Sequence, residues 1–241
     1  CGAASIAELH EKAEFVEIHS DSVIKFKSCY VTFFRTNHSI PDSVAICIHT
    51  SEGIIVYTGD FKFDQGATEL YKPEISKMAR IGEKGVLCLL SDSTDAEKPG
   101  YSVSELVVEK EMKDAFYNAR GRIIAACFAS DLIRIQHVFN SAYESRRKVA
   151  VSGKNLQEVF EIAIKLGYLD VPEKLIIPLS DIRKYRDDEI VILTTGSQGE
   201  PIEALQRMAK KAHKQVNIQP GDTVFIAATP LRGSEVFINN T

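Results

Sequence analysis

The spacing of apolar and polar residues divides the chain into two stretches with different rhythms. In the first, apolar residues cluster or alternate at 15–18, 23–26, 30–34, 44–48 and 54–57, in runs rich in Val, Ile, Phe and Tyr. That period predicts strands joined by tight turns, behind a short helix over 5–14. Positions 73–81 have helical spacing, and 85–91 has the composition of a fully buried strand ending in Asp92. A polar stretch over 93–100 predicts a domain boundary near residue 98. Beyond it strands and amphipathic helices alternate. The pattern gives a helix from a capping box in Ser102-Val103-Ser104-Glu105 to Ala119, strand 122–129, helix 132–144, strand 148–152 and helix 156–166 stopped by Gly167. Strands 174–179 and 189–195, helix 203–212 and strand 223–228 follow. Parallel neighbours need a crossover that a helix supplies, so this half is expected to be α/β with a doubly wound, mainly parallel sheet.

In such sheets ligands gather at the carboxyl ends of the strands, and the second half keeps its polar residues there. They are Ser130-Asp131 with Arg134 one turn on, Ser152-Gly153-Lys154-Asn155, Thr194-Thr195-Gly196-Ser197-Gln198-Gly199-Glu200-Pro201 and Thr229-Pro230-Leu231-Arg232-Gly233. Gly196, Ser197, Gln198 and Gly199 lead into a helix N-terminus, where backbone N–H groups favour phosphate. Gly, Ser and Pro after a strand are also plain turn formers. Four such loops on one sheet edge, two with an Arg nearby, point to an anionic ligand. The Thr194 loop lacks the Gly-Lys-Ser/Thr ending of a Walker A motif and the spacing of a dinucleotide fingerprint, which argues against a nucleotide-driven motor or a dinucleotide dehydrogenase.

In the first stretch, His38 follows the strand at 30–34 and Asp60 follows Gly59 at the exit of the hairpin 44–58. A hairpin returns the chain close to its start, so the two side chains are candidates for one site, and imidazole with carboxylate suits zinc or manganese. Both residue types are equally at home in surface turns.

Composition narrows the picture. The 241 residues carry a net charge of −4, so any nucleic-acid contact must come from a local basic surface within an acidic average. The five Cys are scattered, with no CxxC pair, and three lie in apolar runs, as buried thiols of a cytoplasmic protein do. No apolar run is long enough to span a bilayer. The six His show no metal-binding spacing, and no HxHxDH occurs; His10, His19 and His213 have the setting of surface residues. The first residue is Cys rather than Met, and residues from Ser234 onward have the pattern of a helix's first turn, so the chain is expected to be a piece of a longer protein.

Several motifs together resemble the ribonuclease J family, in the β-CASP branch of the metallo-β-lactamase superfamily. They are Asn37-His38-Ser39-Ile40-Pro41-Asp42-Ser43, Thr58-Gly59-Asp60-Phe61-Lys62-Phe63-Asp64, Ser91-Asp92-Ser93-Thr94-Asp95, Phe128-Ala129-Ser130 with Arg134-Ile135-Gln136, Gly153-Lys154-Asn155-Leu156 and Gly196–Pro201. The resemblance runs from about Phe15 onward. It implies that residues 1–97 are part of a metallo-β-lactamase-like domain and 98–241 most of a β-CASP domain. It also implies hydrolysis of RNA phosphodiesters with two divalent metals, zinc or manganese, as an exonuclease, an endonuclease or both, in RNA maturation and decay. By it His38 holds one metal, Asp60 bridges two, Asp92 is a catalytic carboxylate orienting a histidine from elsewhere, and Ser130, Arg134, Gly196, Ser197, Gln198 and Gly199 touch RNA phosphates. One His and one Asp cannot hold two metals, so the 241 residues alone are expected to bind none and to be inactive. The expected partner is single-stranded RNA, not a membrane, with assembly as a homo-oligomer or with a paralogue. An alternative is a non-catalytic RNA-binding subunit partnering an active paralogue. A small-molecule metallo-hydrolase ranks last, because it leaves the second half without a purpose.

Overall fold

The computed structural model describes residues 14–64, 66–195 and 201–227. The chain divides into two compact units: one takes the residues up to Asn37, Asp42–Phe63 and Lys72–Pro99, and the other His38–Pro41, Asp64–Tyr71 and everything from Gly100.

The first unit is built on a five-stranded sheet of β1 (Val23–Lys25), β2 (Tyr30–Arg35), β3 (Val44–His49), β4 (Ile54–Tyr57) and β5 (Val86–Leu90), in that order. Neighbours are antiparallel except β4 and β5, which run parallel because helix α1 (Ile75–Glu83) carries the chain across. Along β3 every second residue is buried, so Ala45 and Cys47 join Phe34, Ile54 and Val56 in a small core that Met78 and Ile81 of α1 close. The β3–β4 turn forms because the Thr50 hydroxyl accepts the N–H groups of Glu52 and Gly53, while Gly53 takes a φ of +146°, open only to glycine at no cost.

Two expectations fail in this unit. Residues 15–18 form no strand: a strand needs a ladder partner, and among the described residues β1 pairs only with β2. The run at 86–90 is a strand, but every position of it is exposed, Leu87 and Leu89 by 63% and 61%. A short apolar run marks a face that demands cover without showing what covers it, and here β5 is an edge strand, paired among the described residues with β4 alone.

The second unit holds a five-stranded, wholly parallel sheet in the order β10–β6–β9–β7–β8, made of β6 (Ile123–Ala126), β7 (Lys148–Ser152), β8 (Ile176–Ile177), β9 (Ile190–Thr194) and β10 (Thr223–Ile226). Successive residues of each central strand serve opposite faces. Ile123, Ala125, Val149, Val151, Val191 and Leu193 pack with α2 (Glu105–Asn118), α3 (Leu132–Glu144) and α4 (Lys154–Lys165) through Met112, Phe116, Val138, Phe139, Leu156 and Phe160. Ile124, Ala126, Ala150, Ile190 and Ile192 meet Leu205 and Met208 of α5 (Pro201–Ala209) on the other face. The sheet is thus covered on both sides, as a parallel sheet must be. The fold is α/β with a doubly wound parallel sheet, as its alternation of elements predicted. The segment 174–179 yields only the two-residue β8, and short 3-10 helices at Leu179–Lys184 and Asp187–Glu189 follow, which the apolar pattern did not show.

Candidate metal and phosphate sites

In the first unit two candidate residues, Asp60 and Asp92, lie where strands end. Thr58, just past β4, takes the carbonyl of Leu90 with its N–H, and its hydroxyl oxygen accepts the Asp92 N–H at 3.0 Å. The exits of β4 and β5 are therefore stapled side by side. Asp92 is half-buried there, and one of its carboxylate oxygens accepts the N–H of Thr94 at 2.8 Å, so the side chain shapes its own turn. Asp60 is exposed and follows Gly59, whose φ of +60° turns the chain out of the sheet. Two residues later Lys62 donates its N–H to the buried Asn37 carbonyl at 2.8 Å in an isolated antiparallel bridge, which fixes the exit of β2 against the segment that carries Asp60.

His38, next in sequence after Asn37, opens the short segment His38–Pro41 of the second unit. Its ring is half-buried, with Nδ1 at 3.5 Å from the Ser39 hydroxyl. The Ser39 carbonyl accepts the Leu132 N–H at 3.2 Å, and Ile40 lines a cavity of about 440 Å³ with Phe128, Ser130, Leu132 and Asn155. The segment is thereby held against the loop between β6 and α3. Among the described residues no three His, Cys, Asp or Glu side chains come together as a metal centre. His38 and Asp60 have the donor chemistry zinc and manganese accept, but two donors do not complete a coordination shell.

Ser130 sits exposed in the β6–α3 turn, and Asp131 caps α3 by accepting the Arg134 N–H at 3.1 Å. Burial pushes the Asp131 carboxyl above its ordinary value. The Arg134 guanidinium is half-buried and grips Glu105 in a two-pronged pair, Nε at 2.8 Å and Nη2 at 3.0 Å. That edge of the fork faces a carboxylate, a competitor for any phosphate. The sequence reading missed Glu105 because the partners are 29 residues apart on different helices. It also missed the buried Asp64, whose carboxylate accepts the Ser104 hydroxyl at 2.8 Å, the Glu105 N–H at 2.7 Å and the Gly66 N–H at 3.0 Å. The helix start that the capping-box pattern put at Ser102 lies at Ser104, whose hydroxyl accepts the Leu106 N–H. Glu105 is then the first helical residue, and its carboxylate turns to Arg134 instead of closing a box. Gly196, Ser197, Gln198 and Gly199 lie outside the described residues.

No helix among the described residues is long and apolar enough to cross a membrane. Comparison with known proteins puts a family to this geometry. The family described as "Ribonuclease J, beta-CASP domain" matches residues 120–241. Proteins named Ribonuclease J 2 from Staphylococcus saprophyticus and Staphylococcus aureus are each 50% identical over 233 residues, which is 97% of this chain and 42% of theirs. The chain thus spans about two fifths of the length of the curated relatives it matches. A crystal structure of a protein of unknown function from Enterococcus faecalis V583 shares the fold, with a TM-score of 0.57, 14% identity, and coverage of 90% of this chain and 56% of that one. With half of its length matched by the family and a doubly wound sheet in the matching half, the chain belongs to the ribonuclease J family of β-CASP proteins.

Proposed function

We propose that this chain is part of a ribonuclease that hydrolyses phosphodiesters of single-stranded RNA in RNA maturation and decay, with residues 1–97 contributing to a metallo-β-lactamase-like domain and 98–241 to the β-CASP domain. The observation that carries the reading is the 50% identity over 97% of the chain to proteins named as ribonucleases. The apolar, exposed face of β5 adds to it, since patches of that kind are normally covered by a further layer, which a larger lactamase-like domain would provide.

In this account His38 and Asp60 are metal ligands, and the remaining ligands come from elsewhere in the protein. Two divalent ions, zinc or manganese, when bound would neutralise charge on the attacking and leaving oxygens. The chain's own residues position the rest. Asp92, tied to Thr58 through its N–H, holds a carboxylate where it can accept from a histidine and fix that ring's orientation. Ser130 and Arg134, with Gly196–Gly199, contact backbone phosphates; Arg134 does so with the guanidinium edge that Glu105 leaves open. A cytoplasmic protein that assembles with itself or a paralogue is the accompanying proposal.

The test is cleavage of labelled single-stranded RNA by the full-length protein with manganese or zinc, with and without a chelator. Cleavage that stops on chelation and returns with the metal supports the reading. Tight RNA binding with no cleavage at any metal concentration would instead identify a non-catalytic RNA-binding subunit.

A further inference from the structure

The carboxyl ends of β7 and β9 and the turn after α5 line a cavity of about 660 Å³, which adjoins the one at Ile40 and Ser130 through their shared Asn155. Its walls include Ser152 and Lys154 at the β7–α4 junction, Thr195 past β9, Arg207 on α5, and His213 with Lys214 in the turn beyond. Among the described residues its lining carries the cations Lys154, Arg207 and Lys214 and the carboxylate of Glu158, in a chain whose overall charge is −4. Glu158 offsets little of this, because it stands 3.7 Å from Lys154 with both side chains mostly in water. A concave surface of one sign focuses the field and draws in the opposite charge.

His213 adds direction to that charge. Its Nδ1 accepts the backbone N–H groups of Val216 at 3.1 Å and Gln215 at 3.3 Å, so in the neutral ring the proton sits on Nε2. Nε2 lies 3.3 Å from the hydroxyl of buried Ser152, at the cavity wall. Burial, and then the charge of Arg207, push His213 below its ordinary value, so near neutral pH the ring is an uncharged N–H donor. The volume lies within the range of small-ligand sites and accommodates a nucleoside monophosphate.

We propose that this cavity is an anion site for a phosphate group of nucleotide chemistry, held by Lys154, Arg207 and Lys214 and oriented by the Ser152 hydroxyl, whose oxygen takes the His213 Nε2–H and whose own proton is donated to the anion. The phosphate has two possible sources, a passing RNA strand and a free mononucleotide. Only the first rests on the nuclease reading above. The Ser152-Gly153-Lys154-Asn155 loop thereby gains a role that no metal or catalytic assignment gave it.

Binding is measured on the full-length protein in a chelator, so that cleavage plays no part. Inorganic phosphate, uridine monophosphate and a short oligoribonucleotide are titrated against the unaltered protein, Arg207→Ala and Lys214→Glu. Lys214 is exposed, so its charge reversal leaves the fold intact even if Arg207→Ala disturbs α5. The expected result is a loss of phosphate and monophosphate affinity of tenfold or more in each variant, roughly the worth of one charge-assisted hydrogen bond. If the oligoribonucleotide loses affinity in parallel, with its salt dependence flattened by about one unit of slope, the RNA strand is the source. If only the small ligands lose affinity, the site serves a free nucleotide. Affinities for all three ligands unchanged in Lys214→Glu would overturn the proposal, whatever the outcome of the cleavage test.

Discussion

Arg134 shows how much of a residue's role depends on what already holds it. Its guanidinium is committed along one edge to Glu105, so a phosphate must be bound by the remaining donors. If it serves an RNA phosphate, Arg134→Ala lowers affinity to a similar degree for all sequences and reduces the slope of log affinity against log salt by about 1, measured by fluorescence anisotropy at several salt concentrations. An unchanged slope would remove Arg134 from the interface. Two other residues predict pH dependence. Burial, then the charge of Lys84, hold His49 below its ordinary value, and burial, then Arg207, do the same for His213. A group whose folded pKa is depressed contributes stability that is complete above the unfolded pKa of about 6.5 and is lost as pH falls through the folded pKa. Denaturation midpoints should therefore be level above about pH 7 and decline below about 6.5, and His213→Gln should flatten part of that decline. A His49 ring stacked on Tyr30 at 4.2 Å and bonded to the Thr32 hydroxyl at 2.8 Å is a structural group, not a ligand.

At the scale of elements, two buried carboxylates hold ends together. Asp222 pairs with Arg122 at 2.6 and 2.9 Å where β10 and β6 begin, with both side chains nearly sealed from water. Removing one partner strands a buried charge, so Asp222→Ala should cost about 3–5 kcal/mol in denaturant unfolding. Asp64, in the segment between β4 and α1, holds the start of α2 from forty residues away, and Asp64→Ala should cost about 1–3 kcal/mol and speed hydrogen exchange in the first turn of α2. Elements with a strong period were legible in the sequence: the strands 44–48 and 54–57, the helix 132–144 and the parallel architecture emerge from spacing alone. What escaped was set by distant partners. The exposure of β5 depends on a neighbouring layer, and the absent strand at 15–18 depends on a free sheet edge. Neither is a property of local residues. The half-buried wall position of His213 comes from a turn after α5 folding back over β7, which a lone His in a Lys-rich stretch does not announce.

For the molecule as a whole, the central claim is a metal-dependent nuclease in which Asp60 is a ligand. A metal centre is defined by side chains from several segments, and the sequence offered only His38 and Asp60 as candidate ligands. The Asp60 segment is fixed by the Asn37–Lys62 bridge, so replacing the side chain should leave the fold in place. The direct test compares the full-length protein with its Asp60→Ala variant in the same manganese-containing buffer, following cleavage of labelled single-stranded RNA and, in chelator, its binding. If Asp60 is a ligand, cleavage falls at least about a thousandfold, with RNA affinity changed less than about twofold. Cleavage by Asp60→Ala at the rate of the unaltered protein would contradict that role.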